Sequence, residues 1–142
     1  MFESTCMVYD KSKNLHVPKW KLTAEGEGME RSYTIHCFNE SRMEYHPYHY
    51  TAPYITKHLR YLQDYHPERI TSKLDDGTLH VYLRRMNRQM MDEVDAQVEQ
   101  WKESDKEYRL ADQMGDLMLK LALTTNLYAR AEELLLPKIV YA

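Results

Sequence analysis

Glycine, proline and cysteine are scarce in this chain, which has four Gly, five Pro and two Cys in 142 residues. Few turn-forming residues argue against an all-β fold of many short strands and favour helices. Two cysteines are too few for a disulfide framework, so folding must rest on an apolar core. A chain of this length can build such a core, and a single domain spanning residues 1–142 is the default expectation.

Long apolar runs are also missing, since none approaches the roughly 18 residues that a membrane-spanning helix needs. The first ten residues, MFESTCMVYD, contain neither a basic region nor an apolar stretch, unlike a secretory signal peptide. We therefore expect a cytoplasmic protein that does not contact a membrane. In a reducing cytoplasm Cys6 and Cys37, which fall in two predicted strands, stay free thiols.

Motifs for nucleotide binding and nucleophilic catalysis are absent: there is no P-loop, no G-x-G-x-x-G turn and no G-x-S-x-G elbow. His36 and Cys37 are adjacent, but neighbouring strand residues point to opposite faces, so they do not form a catalytic pair. The pairs Asp92-Glu93 and Glu132-Glu133 lie beside apolar helix stripes and are typical of a solvated surface rather than of acid–base groups. We expect no enzyme activity, no catalytic residue and no cofactor.

Histidine is frequent, with seven residues, and His46 and His49 form an H-x-x-H pair. Four-coordinate zinc requires two paired clusters of Cys or His, and only this pair exists. A Tyr/His-rich surface loop is the plainer interpretation. We therefore predict no metal site.

The hydrophobic pattern changes near Pro53, from strand-like and irregular to helical. Three earlier segments alternate apolar and polar side chains as short strands do: residues 5–10, 15–22 and 31–38. Pro18 makes the second of these an edge strand or interrupts it, because proline cannot donate to a ladder. A small antiparallel sheet of two or three strands is predicted for the subregion 1–52, and the segment 45–50 stays unassigned.

The subregion 53–142 is predicted to be helical. Its first helix starts at Pro53, with Thr51 as the cap, and ends at His66-Pro67 because the residue before proline avoids the helical region. A second helix runs from Pro67 to Leu74. Gly77 provides the left-handed position that ends it.

Two long amphipathic helices are predicted from about Thr78 to Ala142, with a turn near Ser104-Asp105 and an end at Pro137. A short loop between long helices makes them antiparallel. The apolar stripe of the second helix includes Leu110, Met114, Leu117, Met118 and Leu121. The fold class is therefore α+β, mainly α: a long antiparallel C-terminal helical hairpin plus shorter helices, with a small N-terminal antiparallel sheet.

Methionine and tyrosine each allow two interpretations. The chain has nine Met and twelve Tyr. Met fills irregular gaps in a core but also serves adaptable binding surfaces. Tyr can replace Phe in a wet core or occupy an interface.

Charge is unevenly placed along the predicted hairpin. Residues 91–116 contain nine acidic and three basic residues, a net charge of −6, whereas residues 53–90 contain four acidic and seven basic residues, a net charge of +3. The acidic turn is expected to bind a basic protein, most naturally a nucleic-acid-binding one. The alternative is a solubilising surface. The residues of this predicted acidic tip are Asp92, Asp95, Glu99, Glu103, Asp105, Glu107 and Asp112.

Residues 67–88 predict a short helix, a glycine turn and a longer helix, the order of a helix-turn-helix. Arg84, Arg85 and Arg88 lie on the second of these helices, where DNA contacts are made. The carboxylates Asp75-Asp76 in the turn argue against DNA binding, and any αα-corner with polar faces has a similar pattern.

The last 80 or so residues, roughly residues 61–142, carry a resemblance to a known family. The matching residues are Tyr61-Leu62, Pro67, Leu74-x-x-Gly77-x-Leu79-x-x-Tyr82-Leu83, Ala111-Asp112-Gln113-Met114, Ala131-Glu132-Glu133 and Ile139-Val140-Tyr141-Ala142. In this pattern the chain resembles the TnpV family, small proteins encoded on transposons and conjugative elements of Gram-positive bacteria.

The resemblance implies a mobile-element accessory protein without established catalysis, in a family compared to excisionases. Two hypotheses follow. The first is a factor that binds a protein, for example an anti-CRISPR inhibitor that blocks a host nucleic-acid enzyme through an acidic surface. The second is an excisionase-like DNA-binding factor. A homodimer formed by the amphipathic hairpin is a further alternative.

Overall fold

The computed structural model describes the whole chain, Met1–Ala142, and its class is α+β and mainly α, as predicted. The chain forms two compact units, Met1–Arg85 and Met86–Ala142, and the boundary falls inside one long helix. The prediction of a single domain stays a prediction. None of the helices combines the length and the apolar composition that crossing a membrane requires.

The first unit contains every strand. They are β1 (Phe2–Glu3), β2 (Met7–Asp10), β3 (Leu15–Pro18), β4 (Trp20–Glu25), β5 (Ser32–Asn39) and β6 (Glu44–His49). An antiparallel sheet has the order β1-β4-β5-β6, and β2 pairs with β3 in a separate hairpin. The main sheet has four strands rather than the predicted two or three, because β6 covers most of the unassigned segment 45–50. The predicted interruption at Pro18 is confirmed, since β3 ends there and β4 begins two residues later.

The sheet and two helices build the core of this unit. Leu22 on β4 lies opposite Ile35 on β5, and both are buried. Helix α1 (Pro53–Tyr65) contacts β5, and helix α2 (Pro67–Asp76) contacts β1 and β4. The side chains that these helices bury include Leu59, Leu62, Ile70 and Leu74.

Most predicted helix boundaries in this unit are confirmed, but α2 ends at Asp76, two residues beyond the predicted Leu74, and one cap differs. Helix α1 ends at Tyr65 and α2 begins at Pro67, as the His66-Pro67 pair predicts. Gly77 ends α2 with φ +71°, the left-handed conformation that glycine adopts without strain. Thr51 is not the cap of α1: Ala52 occupies that position, and no side chain caps the helix.

The remaining helices are α3 (Leu79–Ser104), which crosses the boundary between the units, α4 (Lys106–Met114) and α5 (Leu117–Leu135). A π-helical turn, Leu136–Val140, follows α5. The predicted turn after Ser104 is confirmed, and Pro137 lies inside the π-helical turn rather than at the end of the helix. Within the second unit α3 buries Met90, Val94 and Val98, and α5 buries Leu127 and Ala131.

The long antiparallel hairpin is not confirmed, because its second arm is two helices. Gly115 adopts φ +68° and stops α4, while Asp116 caps α5 by accepting a hydrogen bond from the Leu119 N–H at 3.1 Å. This Gly-Asp pair combines a stop signal with a start signal. The apolar stripe that runs past it in the sequence therefore does not belong to one continuous helix.

Candidate functional site

One side of α3 in the second unit is acidic and faces away from the buried stripe. Carboxylates at steps of three or four residues share a helix face, and here they are exposed: Asp92, Asp95, Glu99 and Glu103. On an ideal helix this face lies opposite Met90, Val94 and Val98, which are buried. We call these four residues the α3 acidic face.

Two members of the α3 acidic face have partners within the chain. Asp95 accepts a hydrogen bond from the Tyr128 hydroxyl at 3.0 Å, and this bond raises the pKa of Tyr128. Glu99 lies 3.3 Å from the Lys102 ammonium, an exposed pair of the kind that adds little stability. Asp92 and Glu103 form no ion pair. The face therefore keeps most of its negative charge available to a partner.

The other three predicted residues of the acidic tip lie elsewhere and have local roles. Asp105 caps α4, accepting the Tyr108 N–H at 2.9 Å. Asp112 pairs with Lys120 at 2.6 Å and raises the pKa of that lysine. Glu107 is exposed in the first turn of α4, where a carboxylate complements the helix dipole. The predicted tip is thus one face of α3 and three separate carboxylates.

The predicted order of a helix, a glycine turn and a longer helix is present as α2, Gly77 and α3. Arg84 and Arg85 are exposed at the end of the first unit, and Arg88 is exposed in the second. None of the three forms an ion pair within the chain. Asp75 and Asp76 lie in the last turn of α2 rather than in the predicted turn after it, and Asp75 accepts the Thr5 N–H at 2.6 Å and so has a structural role.

Sequence reasoning missed a polar network around Tyr82 in the first unit. The Tyr82 hydroxyl lies 2.7 Å from Nε2 of His58, which is fully buried, and it accepts a hydrogen bond from Arg69 at 3.2 Å. The Lys73 ammonium lies 4.0 Å from the ring centroid. A histidine within the apolar stripe of α1 was the available signal. The network satisfies a buried histidine and joins α1, α2 and α3.

The unassigned segment 45–50 contributes to a second polar cluster. The Tyr50 hydroxyl lies 2.8 Å from Nδ1 of His80, and the Tyr48 ring packs edge-on against the same imidazole at 4.9 Å. Burial raises the pKa of Tyr50 and lowers that of His80, with Arg84 adding to the second shift. Both shifts favour the neutral form of the group, which suits a structural hydrogen bond.

The histidine and cysteine residues considered for chemistry do not converge. His46 and His49 lie three positions apart in β6, so their side chains point to opposite faces. His36 bonds Thr23 at 3.1 Å, and burial raises the pKa of the adjacent Cys37. Cys6 and Cys37 are free. No three His, Cys, Asp or Glu side chains are grouped so that they could hold a metal ion.

The second unit has an open cleft of about 470 Å³ between α3 and the end of the chain. Its lining is mostly amide and aliphatic, with Glu93 and Lys138 as the charged groups. A cleft of about 450 Å³ beside Asp105 is lined by groups of both charge signs. Neither places a nucleophile beside a base.

Several large apolar side chains are exposed on α4 and at the start of α5. We call them the α4–α5 apolar face: Leu110, Met114, Leu117, Met118 and Leu121 are 57%, 72%, 76%, 84% and 68% exposed. These residues were predicted to form the apolar stripe of one long helix. The break at Gly115 divides them between α4 and α5, and all five stay exposed. Contiguous exposed apolar side chains mark binding surfaces in soluble proteins.

No family model, no curated protein and no solved structure matches the chain. The resemblance to the TnpV family therefore stays an expectation.

Proposed function

We propose that this chain is a cytoplasmic, non-enzymatic accessory protein that binds a basic protein partner through the α3 acidic face. The observation that carries the proposal is the alignment of Asp92, Asp95, Glu99 and Glu103 on one exposed side of a single helix. A fixed row of like charges on a rigid helix costs little to order when it binds. It gives a partner both a charge and a spacing to recognise.

The charge around this face defines the partner. Residues 91–105 contain six carboxylates and one lysine, a net charge of −5. Such a field steers basic proteins into contact and repels acidic ones. Nucleic-acid enzymes have basic channels, so a nucleic-acid-binding protein is the natural partner.

The spacing of the carboxylates supports the same class of partner. Asp92 and Glu103 are about 16 Å apart along the helix axis at 1.5 Å per residue, with a carboxylate about every 5–6 Å. One DNA strand has a phosphate about every 3.4 Å of axial rise. The α3 acidic face thus presents about two negative charges for every three phosphate positions, a charge density that would let it occupy a nucleic-acid groove. An anti-defence role on a mobile element, such as anti-CRISPR inhibition, is the concrete form of this proposal.

The test is a charge reversal with a matched control. Glu99→Lys combined with Glu103→Lys changes the net charge by +4. A loop variant with the same change combines Glu25→Lys, at the exposed end of β4, with Glu27→Lys in the loop that follows. The immobilised wild-type chain should capture a basic nucleic-acid-binding protein at low salt and lose it as salt rises. Capture should fall at least tenfold for the α3 variant and stay within twofold for the loop variant.

If both variants lost capture equally, the effect would come from net charge alone, and this result would contradict the α3 acidic face as the binding site. A defined probe is a guide-RNA-loaded Cas9-type effector, whose DNA cleavage the wild-type chain should slow. Retained inhibition by the α3 variant would contradict the anti-defence form of the proposal.

A second candidate function is DNA binding through the arginines of α3. It is favoured by one observation: Arg84, Arg85 and Arg88 are exposed and have no ion-pair partner. The expected result is a gel shift with DNA from the ends of a mobile element, steeply weakened by salt. The triple Arg→Ala variant should lose it. Absence of any shift at low salt would remove this candidate.

A further inference from the structure

The α4–α5 apolar face lacks a cover within the second unit. Met118 has the largest exposed fraction of any large hydrophobic residue in the chain, at 84%, and Leu117 before it reaches 76%. The first turns of α5, LMLKLAL, are apolar around the whole circumference except for Lys120. A helix that is apolar all round is normally buried. The face therefore has the composition of an interface core.

An uncharged stripe extends this face along α5. From Met118 it continues through Ala122, Thr125 and Ala129 at steps of four, three and four residues, and all four are exposed. The Thr125 hydroxyl donates to the Leu121 carbonyl at 3.1 Å, so it needs no outside partner. Steps of three and four keep the stripe on one side of the helix. Small side chains there allow a second helix to approach closely.

The charge around the face identifies the kind of partner. Residues 106–121 contain three carboxylates (Glu107, Asp112 and Asp116) and three cations (Lys106, Arg109 and Lys120), a net charge of zero. Residues 91–105 carry a net charge of −5, so two copies meeting through α3 would repel each other. Two copies meeting through the α4–α5 apolar face would not. The balance also gives a basic partner no advantage at this face.

We propose that the α4–α5 apolar face binds the same face of a second copy of this chain, and that the two α5 helices pack antiparallel about a two-fold axis. In such an isologous contact each residue i meets residue j of the other copy, and j meets i. Glu107 and Arg109 are exposed, form no ion pair and lie within three residues of Leu110 in α4, so both signs of charge are available beside the apolar residues. The dimer leaves the α3 acidic face outside the interface and does not depend on its function.

Sedimentation equilibrium of the full chain tests this inference over a range of concentrations. The wild type should approach twice the 17.1 kDa mass of one chain. In a dimer of the Met118→Glu and Leu121→Glu double variant, carboxylates of the two copies would be buried against each other. The dissociation constant of the dimer should therefore rise at least about 100-fold. The control is Gln89→Glu combined with Gln100→Glu, which adds the same two carboxylates at exposed positions of α3, and it should stay dimeric. Circular dichroism should show the same helix content in all three proteins.

Three results would overturn the inference. The first is a wild type that stays monomeric at every concentration, including one that binds a different protein through this face. The second is a dimer that persists in the double variant. The third is a monomeric Gln89→Glu and Gln100→Glu control with unchanged helix content, since dissociation would then not be specific to the face. If the double variant loses helix, the single substitution Ala122→Glu gives the same test with less lost apolar packing.

Discussion

Two pairs of consecutive helices, α1–α2 and α4–α5, carry apolar residues at the same spacing, but the first pair buries them and the second leaves them exposed. In the first unit Leu59, Leu62, Ile70 and Leu74 are fully buried. In the second the five residues of the α4–α5 apolar face are 57–84% exposed. The first pair packs on β-strands of its own unit. The second unit contains no strand.

Apolar residues at helical spacing thus predict that one face of a helix must be covered. They do not predict which part of the molecule covers it. The sheet does so for α1 and α2. For α4 and α5 we infer that a second copy of the chain is the cover. Burying the five Leu and Met side chains would contribute on the order of 5–10 kcal/mol per copy, which offsets the entropic cost of association. The following experiments test this contrast, beginning with the largest expected effect.

Truncating one leucine in α1 and one in α5 should distinguish the two helix pairs most clearly. Leu62→Ala removes a fully buried side chain and should lower the free energy of unfolding by about 2–5 kcal/mol. Leu121→Ala, measured at a concentration where the chain is monomeric, should change it by less than about 0.5 kcal/mol. Urea unfolding followed by circular dichroism measures both. Equal losses would mean that Leu121 lies in the core of the monomer.

Removing one hydroxyl tests whether the polar network of the first unit is structural. Tyr82→Phe deletes the hydrogen bonds to His58 and Arg69 and should cost about 1–3 kcal/mol, because it withdraws a partner from a fully buried histidine. Tyr65→Phe is the control, since that side chain is 70% exposed. A Tyr82→Phe protein as stable as the control would show that water replaces the hydroxyl.

The two helix-ending glycines offer a matched pair, one in each unit. Both adopt positive φ, which costs other residues about 1–2 kcal/mol. A Cβ at Gly77 would lie 3.2 Å from Nε1 of Trp20, whereas one at Gly115 would meet nothing within 4 Å. Gly77→Ala should therefore destabilise the protein more than Gly115→Ala, by about 1 kcal/mol in thermal unfolding. The reverse order would mean that α4 and α5 are more tightly constrained than their exposure indicates.

The smallest effect concerns the pH dependence of the first unit. Arg31 holds the Asp64 carboxyl through two hydrogen bonds of 2.9 and 2.7 Å and lowers its pKa below the usual 3.8. A carboxyl whose pKa is lower in the folded state stabilises the fold at any pH above its unfolded-state pKa. This stability is lost as the pH falls through the folded-state pKa. Asp64→Asn should flatten the loss of stability below about pH 4, whereas Glu40→Gln, an exposed control, should not. Parallel curves for the wild type and Asp64→Asn would remove this ion pair from the account.

The sequence predicted best where local chemistry limits the backbone. His66-Pro67, Gly77 and Ser104-Asp105 end or start helices for steric and capping reasons that need no tertiary contact. Steps of three and four residues likewise put the carboxylates of α3 on one face. The same signals at Gly115-Asp116 were overlooked, because a continuous apolar stripe favoured one long helix.

What the sequence missed depends on contacts between distant residues. The strand β6 has Tyr, His and Pro without clean alternation, and its place is fixed by pairing with β5. The roles of Asp95 and Asp112 rest on Tyr128 and Lys120, residues 33 and 8 positions away. The exposure of Met118 depends on how α5 is oriented after the break. Residue spacing alone contains none of this information.

The most direct test of the central contrast is the solvent accessibility of methionine methyl groups, measured by NMR with a soluble paramagnetic probe. Met90 is fully buried, whereas Met114 and Met118 are 72% and 84% exposed in a single chain. We predict that Met90 is protected at every protein concentration, and that Met114 and Met118 are protected at high concentration and become accessible on dilution. Met114 and Met118 signals that broaden equally at all concentrations would contradict the account.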